Sequence, residues 1–189
     1  MHRAPERVRM TYDDLLAIPD DGLRHELIDG DHIVSPSPGS AHQLIVGNLY
    51  LLLGTFLRDQ PLGVAMLAPF DIVFSRHDVV EPDLIYFSID RFRAIVGEKN
   101  AQGAPDLAVE IVSPWSRRRD EVTKRRLYER WGVAEYWVVD PELESVKVYR
   151  LTDRIYSRTA ELSVEAGDSL NTPLLPGLSL TLASVFELP

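Results

Sequence analysis

The amino-acid sequence predicts an α/β (α+β) fold, in which a mixed β-sheet is flanked by helices and one domain covers residues 1–189. Two observations favour this class. Apolar runs of strand length alternate with segments whose apolar residues recur at helical spacing. The chain is 45% hydrophobic and 26% charged, which is an ordinary balance for a globular protein that buries a single core.

The N-terminal segment predicts a short helix followed by a β-hairpin. Residues 10–18 (MTYDDLLAI) fit a helix with Thr11 as its N-cap. The dipeptide Asp29-Gly30 separates two short strands and is a strong two-residue turn signal. The strand before this turn, RHELI, contains Glu26.

A longer helix follows the hairpin. Ser40 and Gln43 have the spacing of a capping box, which predicts a helix from residue 40 to about residue 58. His42 lies in the first turn of this helix, on its apolar face. Apolar positions at helical spacing predict the rest of that face: Ile45, Leu49, Leu52, Leu53 and Phe56.

The remaining elements alternate between strands and one helix. The sequence predicts strands at 64–67, 70–74, 83–87, 107–112 and 135–139, and a polar loop at 97–103. A helix is predicted over 119–131, because Gly132 is a good stop residue after a helical pattern. A second hairpin is predicted from 145–151 and 154–158, turning at Thr152-Asp153.

Charge and composition argue against several classes of protein. The net charge of −9 disfavours a protein that coats nucleic acid nonspecifically, because such binding needs Lys and Arg to neutralise phosphates. It leaves room for an enzyme that contacts nucleic acid locally. The absence of cysteine excludes disulfides and cysteine zinc sites. Without a signal peptide or an apolar stretch near membrane length, the expected location is the cytoplasm, with no membrane contact.

Carboxylates in two predicted strands are the first indication of chemistry. Strand alternation places Glu110 on one face with Ala108 and Val112. A buried carboxylate there is costly unless a metal, a cation or hydrogen bonds compensate it. The alternative is an edge strand with Glu110 in water. Asp83 opens another apolar run, EPDLIYF, where a solvated strand end is the simpler interpretation.

The helix at 119–131 directs a cation toward the sheet. Lys124, Leu127 and Tyr128 fall on one face, with Asp120 one turn upstream. We therefore expect Lys124 to need an acidic partner or an anionic ligand, the alternative being a side chain that snorkels to water. The arginines around this helix are expected on its solvent side, with phosphate contact as the alternative: Arg117, Arg118, Arg119, Arg125 and Arg126.

Two carboxylates on neighbouring strands and an inward lysine favour a site for a hard cation. Mg²⁺ or Mn²⁺ prefers carboxylate oxygens and keeps open positions for water and phosphate. Such a metal lowers the pKa of a bound water and stabilises charge on a phosphoryl oxygen. Asp83, Glu110 and Lys124 are therefore candidate metal-binding and catalytic residues.

The same segments resemble the Uma2 family, also called DUF820, of restriction-endonuclease-like proteins in the PD-(D/E)xK nuclease superfamily. The matching segments, in order over nearly the whole chain, are HELIDGD, SPSPGSAHQLIVGNL, VVEPDLIYF, APDLAVEIVSPWSRRRDEVTKRRLYERWGVAEYWVVDPE and LPGLSLTL. The resemblance implies a restriction-endonuclease-like core and metal-dependent hydrolysis of a nucleic-acid phosphodiester, with DNA as the expected substrate.

The resemblance also implies a role for each residue of the metal site. Asp83, Glu110 and the backbone carbonyl of Ile111 would hold Mg²⁺ or Mn²⁺. Val112 stands where the superfamily pattern has its catalytic lysine. Lys124, in the following helix, takes that place and would activate or position the attacking water.

Two further residues match family positions in the same pocket. Glu26 would hold a second metal or an outer-shell water. His42 would contact the phosphate. Both belong to the predicted catalytic set.

Two alternatives to an active nuclease stay open. A nuclease fold that has lost its chemistry can serve as a binding or assembly module, and the displaced lysine and acidic charge leave room for this. Glu110 and Lys124 can also form a purely structural ion pair without a metal.

A homodimer is expected, because strand edges and the apolar ending LASVFELP suggest that an edge is covered.

Overall fold

The computed structural model describes residues 8–189 and confirms the predicted fold class. The helices are α1 (Tyr12–Leu16), α2 (Ser40–Asp59), α3 (Ile89–Ile95), α4 (Arg125–Trp131) and α5 (Leu182–Val185). The strands are β1 (Arg24–Ile28), β2 (Asp31–Ser35), β3 (Gly63–Leu67), β4 (Asp71–Ser75), β5 (Asp78–Val80), β6 (Leu84–Ser88), β7 (Asn100–Gln102), β8 (Leu107–Ile111), β9 (Glu135–Asp140), β10 (Ser145–Thr152), β11 (Ile155–Ser163), β12 (Ser169–Leu170) and β13 (Leu180–Thr181). A π-helical segment, Arg119–Lys124, leads directly into α4.

The central sheet has six strands in the order β11-β10-β9-β8-β6-β3. Only β8 and β9 are parallel, and all other neighbours are antiparallel. Apolar side chains of β8 alternate between two core clusters, one on each face of this sheet. Glu110 projects on the same face as Ala108 and Val112 and is only 2% exposed. The alternative of a solvated edge strand at Glu110 is therefore wrong.

A second sheet of five strands has the order β2-β1-β5-β4-β7. Its β1–β2 hairpin turns at Asp29 and Gly30, whose φ angles of 54° and 78° are those of the predicted two-residue turn. Glu26 lies in β1 opposite Ile33 and is fully buried. This hairpin therefore carries a carboxylate from the second sheet toward the interior.

Helix α2 packs against the central sheet with the predicted apolar face. Ile45, Leu49, Leu53 and Leu57 are buried in the core cluster that includes β8 side chains. By length and composition alone, α2 is long and apolar enough to cross a membrane. The sequence expectation that no stretch approaches this length is wrong on that point. Packing of one face on a sheet is nevertheless what a core helix of a globular domain does.

Several local predictions differ from the structure for identifiable reasons. The N-cap of α2 is Gly39, without a side-chain hydrogen bond, so Ser40 is already helical and forms no capping box. Strand β5 has three residues, too few for an alternating pattern, and β7 lies within the segment predicted as loop. Helix α3 has no buried residue and hence gave no apolar stripe. The second hairpin turns one residue later, at Asp153 and Arg154.

Replacing Gly30 by alanine is expected to destabilise the protein by more than the same change at Gly22. Both glycines have positive φ, +78° and +73°, which costs a residue with a side chain about 1–2 kcal/mol. A Cβ on Gly30 would also lie 2.6 Å from Cβ of Arg9, whereas a Cβ on Gly22 meets nothing within 4 Å. Urea denaturation of both variants measures the difference. Equal losses of stability in the two variants would contradict the close contact between Gly30 and Arg9.

Candidate active site

A cleft of about 730 Å³ opens beside the carboxyl end of β8. Residues from both sheets and from the π-helical segment line it. The cleft brings together three of the five predicted catalytic residues, His42, Asp83 and Glu110, along its wall. The other two, Glu26 and Lys124, are fully buried, and Lys124 forms an ion pair with both Glu26 and Glu110. All five predicted residues therefore belong to one contiguous group, although they come from two sheets and two helical segments.

Asp83, directly before β6, is held by three donors. Its Oδ1 accepts a hydrogen bond from Arg24 at 2.8 Å. Its Oδ2 accepts from the backbone N–H of Ile111 at 2.8 Å and lies 3.1 Å from Nε2 of His42. Burial alone would raise the pKa of the Asp83 carboxyl, but the hydrogen bond and charge of His42 and the charge of Arg24 hold it well below its ordinary value. Asp83 is therefore ionised at neutral pH.

Glu110 and Lys124 form the buried centre of the group. Lys124 is 1% exposed, so the snorkelling alternative is wrong. Its ammonium lies 2.8 Å from Oε1 of Glu110 and 2.7 Å from Oε1 of Glu26. The hydroxyl of Tyr128 donates to the same Oε1 of Glu110 at 2.6 Å. Because both donors use Oε1, the second oxygen of Glu110 is the one available to a ligand in the cleft.

This centre contains more carboxyl groups than cations. Burial raises the pKa of Glu110 to about 8; Lys124 opposes this shift, and the charges of Asp120, Asp83 and Glu26 add to it. Burial alone would lower the pKa of Lys124, but Glu110, Glu26 and Asp120 raise it above its ordinary value. Lys124 therefore stays protonated among more carboxyl groups than it can neutralise. Such a site favours an additional cation.

The π-helical segment positions Lys124 and Asp120 on the inner face. Its wider turn is visible where the backbone N–H of Arg125 donates to the carbonyl of Asp120, five residues earlier. That carbonyl also accepts a hydrogen bond from the hydroxyl of Tyr136 at 3.1 Å. The sequence predicted a helix over 119–131, which is confirmed, but residues 119–124 are π-helical, which no sequence pattern indicated. Such π-helical turns often occur at functional sites.

Unsatisfied polar atoms surround the cleft. Buried polar groups in proteins almost always have hydrogen-bond partners, so exceptions need an explanation. Within residues 8–189, the buried side-chain atoms without a hydrogen-bond partner are Glu26 Oε2, Ser35 Oγ, His42 Nδ1, Arg119 Nε and Asp120 Oδ1. The last two lie 3.6 Å apart as an ion pair. Four of these five residues line the cleft, and the fifth, Glu26, is paired with Lys124. The arrangement is that of a site prepared for a polar ligand.

Sequence reasoning missed two residues of this site. Asp120 is 2% exposed and lines the cleft; its place on the stripe of Lys124 was the available signal. Arg119 was expected in solvent, but it also lines the cleft with its Nε buried. Arg117 instead pairs with the buried carboxylate of Asp140. The run of arginines is thus divided between structural and cleft positions, which its composition could not reveal.

The donor set suits a hard divalent cation in its chemistry. Asp83 and Glu110 offer ionisable carboxylates, Ile111 a backbone carbonyl, and Asp120 an oxygen that makes no hydrogen bond. In the part of the chain that the structure describes, no three or more His, Asp or Glu side chains are already grouped as metal ligands. A metal would therefore compete with Arg24 for Asp83 and enter on the free side of Glu110.

Comparison with known proteins identifies relatives of the whole chain. The family model Uma2, described as "Putative restriction endonuclease", matches residues 12–183. A solved structure, of a "putative nuclease belonging to DUF820" from Anabaena variabilis, superposes with a TM-score of 0.76. Its sequence is 24% identical, and the match covers 94% of this chain and 97% of that one. No curated protein matches significantly. The structural likeness confirms that the chain has the same fold as the Anabaena variabilis protein.

Proposed function

We propose, from the premise that the chain belongs to the Uma2 family of restriction-endonuclease-like proteins, that it hydrolyses nucleic-acid phosphodiester bonds with Mg²⁺ or Mn²⁺. The observation that carries this proposal is the buried group of Asp83, Glu110 and Lys124, whose two carboxyl groups line a cleft with unsatisfied polar atoms. Buried carboxyl groups that outnumber the lysine beside them are expensive to maintain for stability alone. A divalent cation and a phosphate would use both features.

Asp83, Glu110 and the carbonyl of Ile111 would hold the metal. When bound, the metal supplies an acidified water and stabilises charge on the phosphoryl oxygens. Asp83 is already ionised, so it needs no proton loss before it binds a cation. The backbone N–H of Ile111 keeps the Asp83 carboxylate oriented from the neighbouring strand. The ligands are therefore anchored in β8 and beside β6 instead of in mobile loops.

Lys124 would position the attacking water or neutralise charge on the phosphate. Its raised pKa means that it acts as a cation and a donor, because it does not release its proton near neutral pH. Glu26 holds Lys124 through Oε1 and keeps Oε2 for an outer-shell water or a second metal. His42 and Arg119, each with a buried nitrogen that makes no hydrogen bond, would contact the phosphate.

A second candidate function is a binding or assembly module whose chemistry is lost. It is favoured by one observation, which is that Asp83 and Glu110 are already paired with cations of the protein itself. Such pairs can hold a fold together without any metal. Metal affinity distinguishes the two candidates, because a degenerate site would bind Mn²⁺ weakly or not at all.

Purified protein is expected to cleave short DNA or RNA in the presence of Mg²⁺ or Mn²⁺ and to stop in excess EDTA. Glu110→Gln is expected to lose this activity, because an amide is a poorer ligand than a carboxylate and cannot balance Lys124. The matched control is Glu142→Gln, which changes an exposed carboxylate. Gel analysis of labelled single-stranded and duplex substrates measures the rates. Equal cleavage by wild type and Glu110→Gln would reject the site.

Homodimerisation and a cytoplasmic location stay predictions of the sequence. Gel filtration with light scattering tests the first of these. A monomer at micromolar concentration would count against the dimer.

A further inference from the structure

Trp115 is the most exposed large apolar side chain of the cleft wall. It is 89% exposed and lines the cleft beside Ser116 and Arg119. The other two tryptophans differ, since Trp137 is fully buried and Trp131 stacks on Phe74. Large exposed apolar groups at the edge of a polar cleft are commonly binding elements. The indole of Trp115 is therefore available to bind a ligand that presents a flat apolar face.

The turn that carries Trp115 is braced on both sides. The backbone N–H of Ser113 donates to Oγ of Ser116 at 2.9 Å, and the N–H of Ser116 donates to Oγ of Ser113 at 3.2 Å. The backbone of Arg117 also returns to the carbonyl of Ser113 at 2.9 Å. These reciprocal hydrogen bonds fix the backbone of the turn that carries the indole. Little backbone conformational entropy is therefore lost when a ligand binds to it.

The surroundings of Trp115 combine apolar surface with unused polar donors. Val34, Pro36 and Pro38 line the same cleft and contribute apolar surface. Arg119 lies four residues after Trp115 and brings a cationic side chain whose buried Nε makes no hydrogen bond and lies 3.6 Å from Asp120. An aromatic face together with a cation for the backbone is the usual composition of a site for unpaired nucleotides.

We propose that Trp115 stacks on an unpaired base next to the phosphate in the cleft, which makes single-stranded nucleic acid the preferred substrate class. This inference rests on the proposed nuclease function. A duplex covers its base faces with neighbouring bases, so it offers Trp115 nothing to stack on. Its dense phosphate charge also gains little from a protein with a net charge of −9.

Fluorescence anisotropy with labelled oligo(dT), oligo(U) and a duplex of equal length tests the proposal, in EDTA so that no cleavage competes. Wild type is expected to bind a single strand more tightly than the duplex. Trp115→Ala is expected to weaken single-strand binding about tenfold, as for loss of one base stack, and to leave duplex binding unchanged. Trp115→Phe should restore most of the affinity. Ile155→Ala, at an apolar position that is 66% exposed in β11, is the control.

A tenfold loss on either single strand supports stacking, and a difference between oligo(dT) and oligo(U) then identifies the preferred sugar. Equal affinities of wild type and Trp115→Ala, tighter duplex binding, or no single-strand binding would overturn it. Cleavage assays of wild type and Glu110→Gln separate this failure from failure of the nuclease function. If stacking fails while wild type cleaves and Glu110→Gln does not, only the substrate preference is wrong. If wild type shows no metal-dependent cleavage, the function itself is wrong.

Discussion

Asp83→Asn is expected to weaken Mn²⁺ binding by more than about a hundredfold and to abolish cleavage. Even outer-shell partners of metal ligands change affinity or activity by about 10- to 100-fold, so loss of a direct ligand should cost more. The asparagine has the same shape and its single amide oxygen can still accept from either Arg24 or the backbone N–H of Ile111, so the fold should survive with some loss of stability. Calorimetric titration with Mn²⁺ and a cleavage assay measure the two effects, and circular dichroism checks the fold.

The control for Asp83→Asn is Asp140→Asn. Asp140 is also a buried carboxylate bound to an arginine, but its partner is Arg117 and it does not line the cleft. The control should therefore lose stability without losing Mn²⁺ affinity. Unchanged metal affinity and full cleavage in Asp83→Asn would contradict the site assignment.

Lys124→Met is expected to destabilise the protein by ~3–5 kcal/mol in the absence of metal. The change leaves Glu26 and Glu110 buried without the ammonium that lies 2.7 Å and 2.8 Å from them. Cleavage should also be lost, because the proposed donor to water or phosphate is gone. Urea denaturation measures the free energy of unfolding, with and without Mn²⁺.

The response to Mn²⁺ separates a metal site from a structural ion pair. If a divalent cation binds beside Glu110, Mn²⁺ should recover part of the stability that Lys124→Met loses. Lys147→Met is the control, since Lys147 forms a more exposed pair with Glu121 and should cost less than about 1 kcal/mol. A Lys124→Met variant that is as stable as wild type, with or without Mn²⁺, would contradict both a stabilising ion pair and a metal site at Glu110.

Much of the candidate site could be predicted because two periodicities are strong. Strand alternation correctly placed Glu110 on the face of Ala108 and Val112, and helical spacing correctly placed Lys124 inside. These are local properties that a sequence carries directly. The two-residue turn at Asp29-Gly30, which delivers Glu26, was equally readable because few dipeptides favour positive φ at both positions.

The remaining features depend on contacts between distant segments. Arg24 and His42 reach Asp83 across 59 and 41 residues, and no periodicity predicts such pairs. Asp120 shares the stripe of Lys124, but its burial at the cleft, 3.6 Å from Nε of Arg119, depends on tertiary packing. The π-helical turn likewise has no composition signal, and the hydrogen bond from Tyr136 to the carbonyl of Asp120 joins separate segments of the chain.

Anomalous diffraction from a crystal grown with Mn²⁺ would locate a bound metal whether or not the protein is active. If Asp83, Glu110 and Ile111 hold the metal, a peak is expected in the cleft at ligand distance, about 2.0–2.2 Å, from the carboxylate oxygens of the first two and from the carbonyl of the third. Lys124 should remain beside Glu110. The absence of a peak at these residues under saturating Mn²⁺, with a short oligonucleotide present, would show that they do not form a metal site.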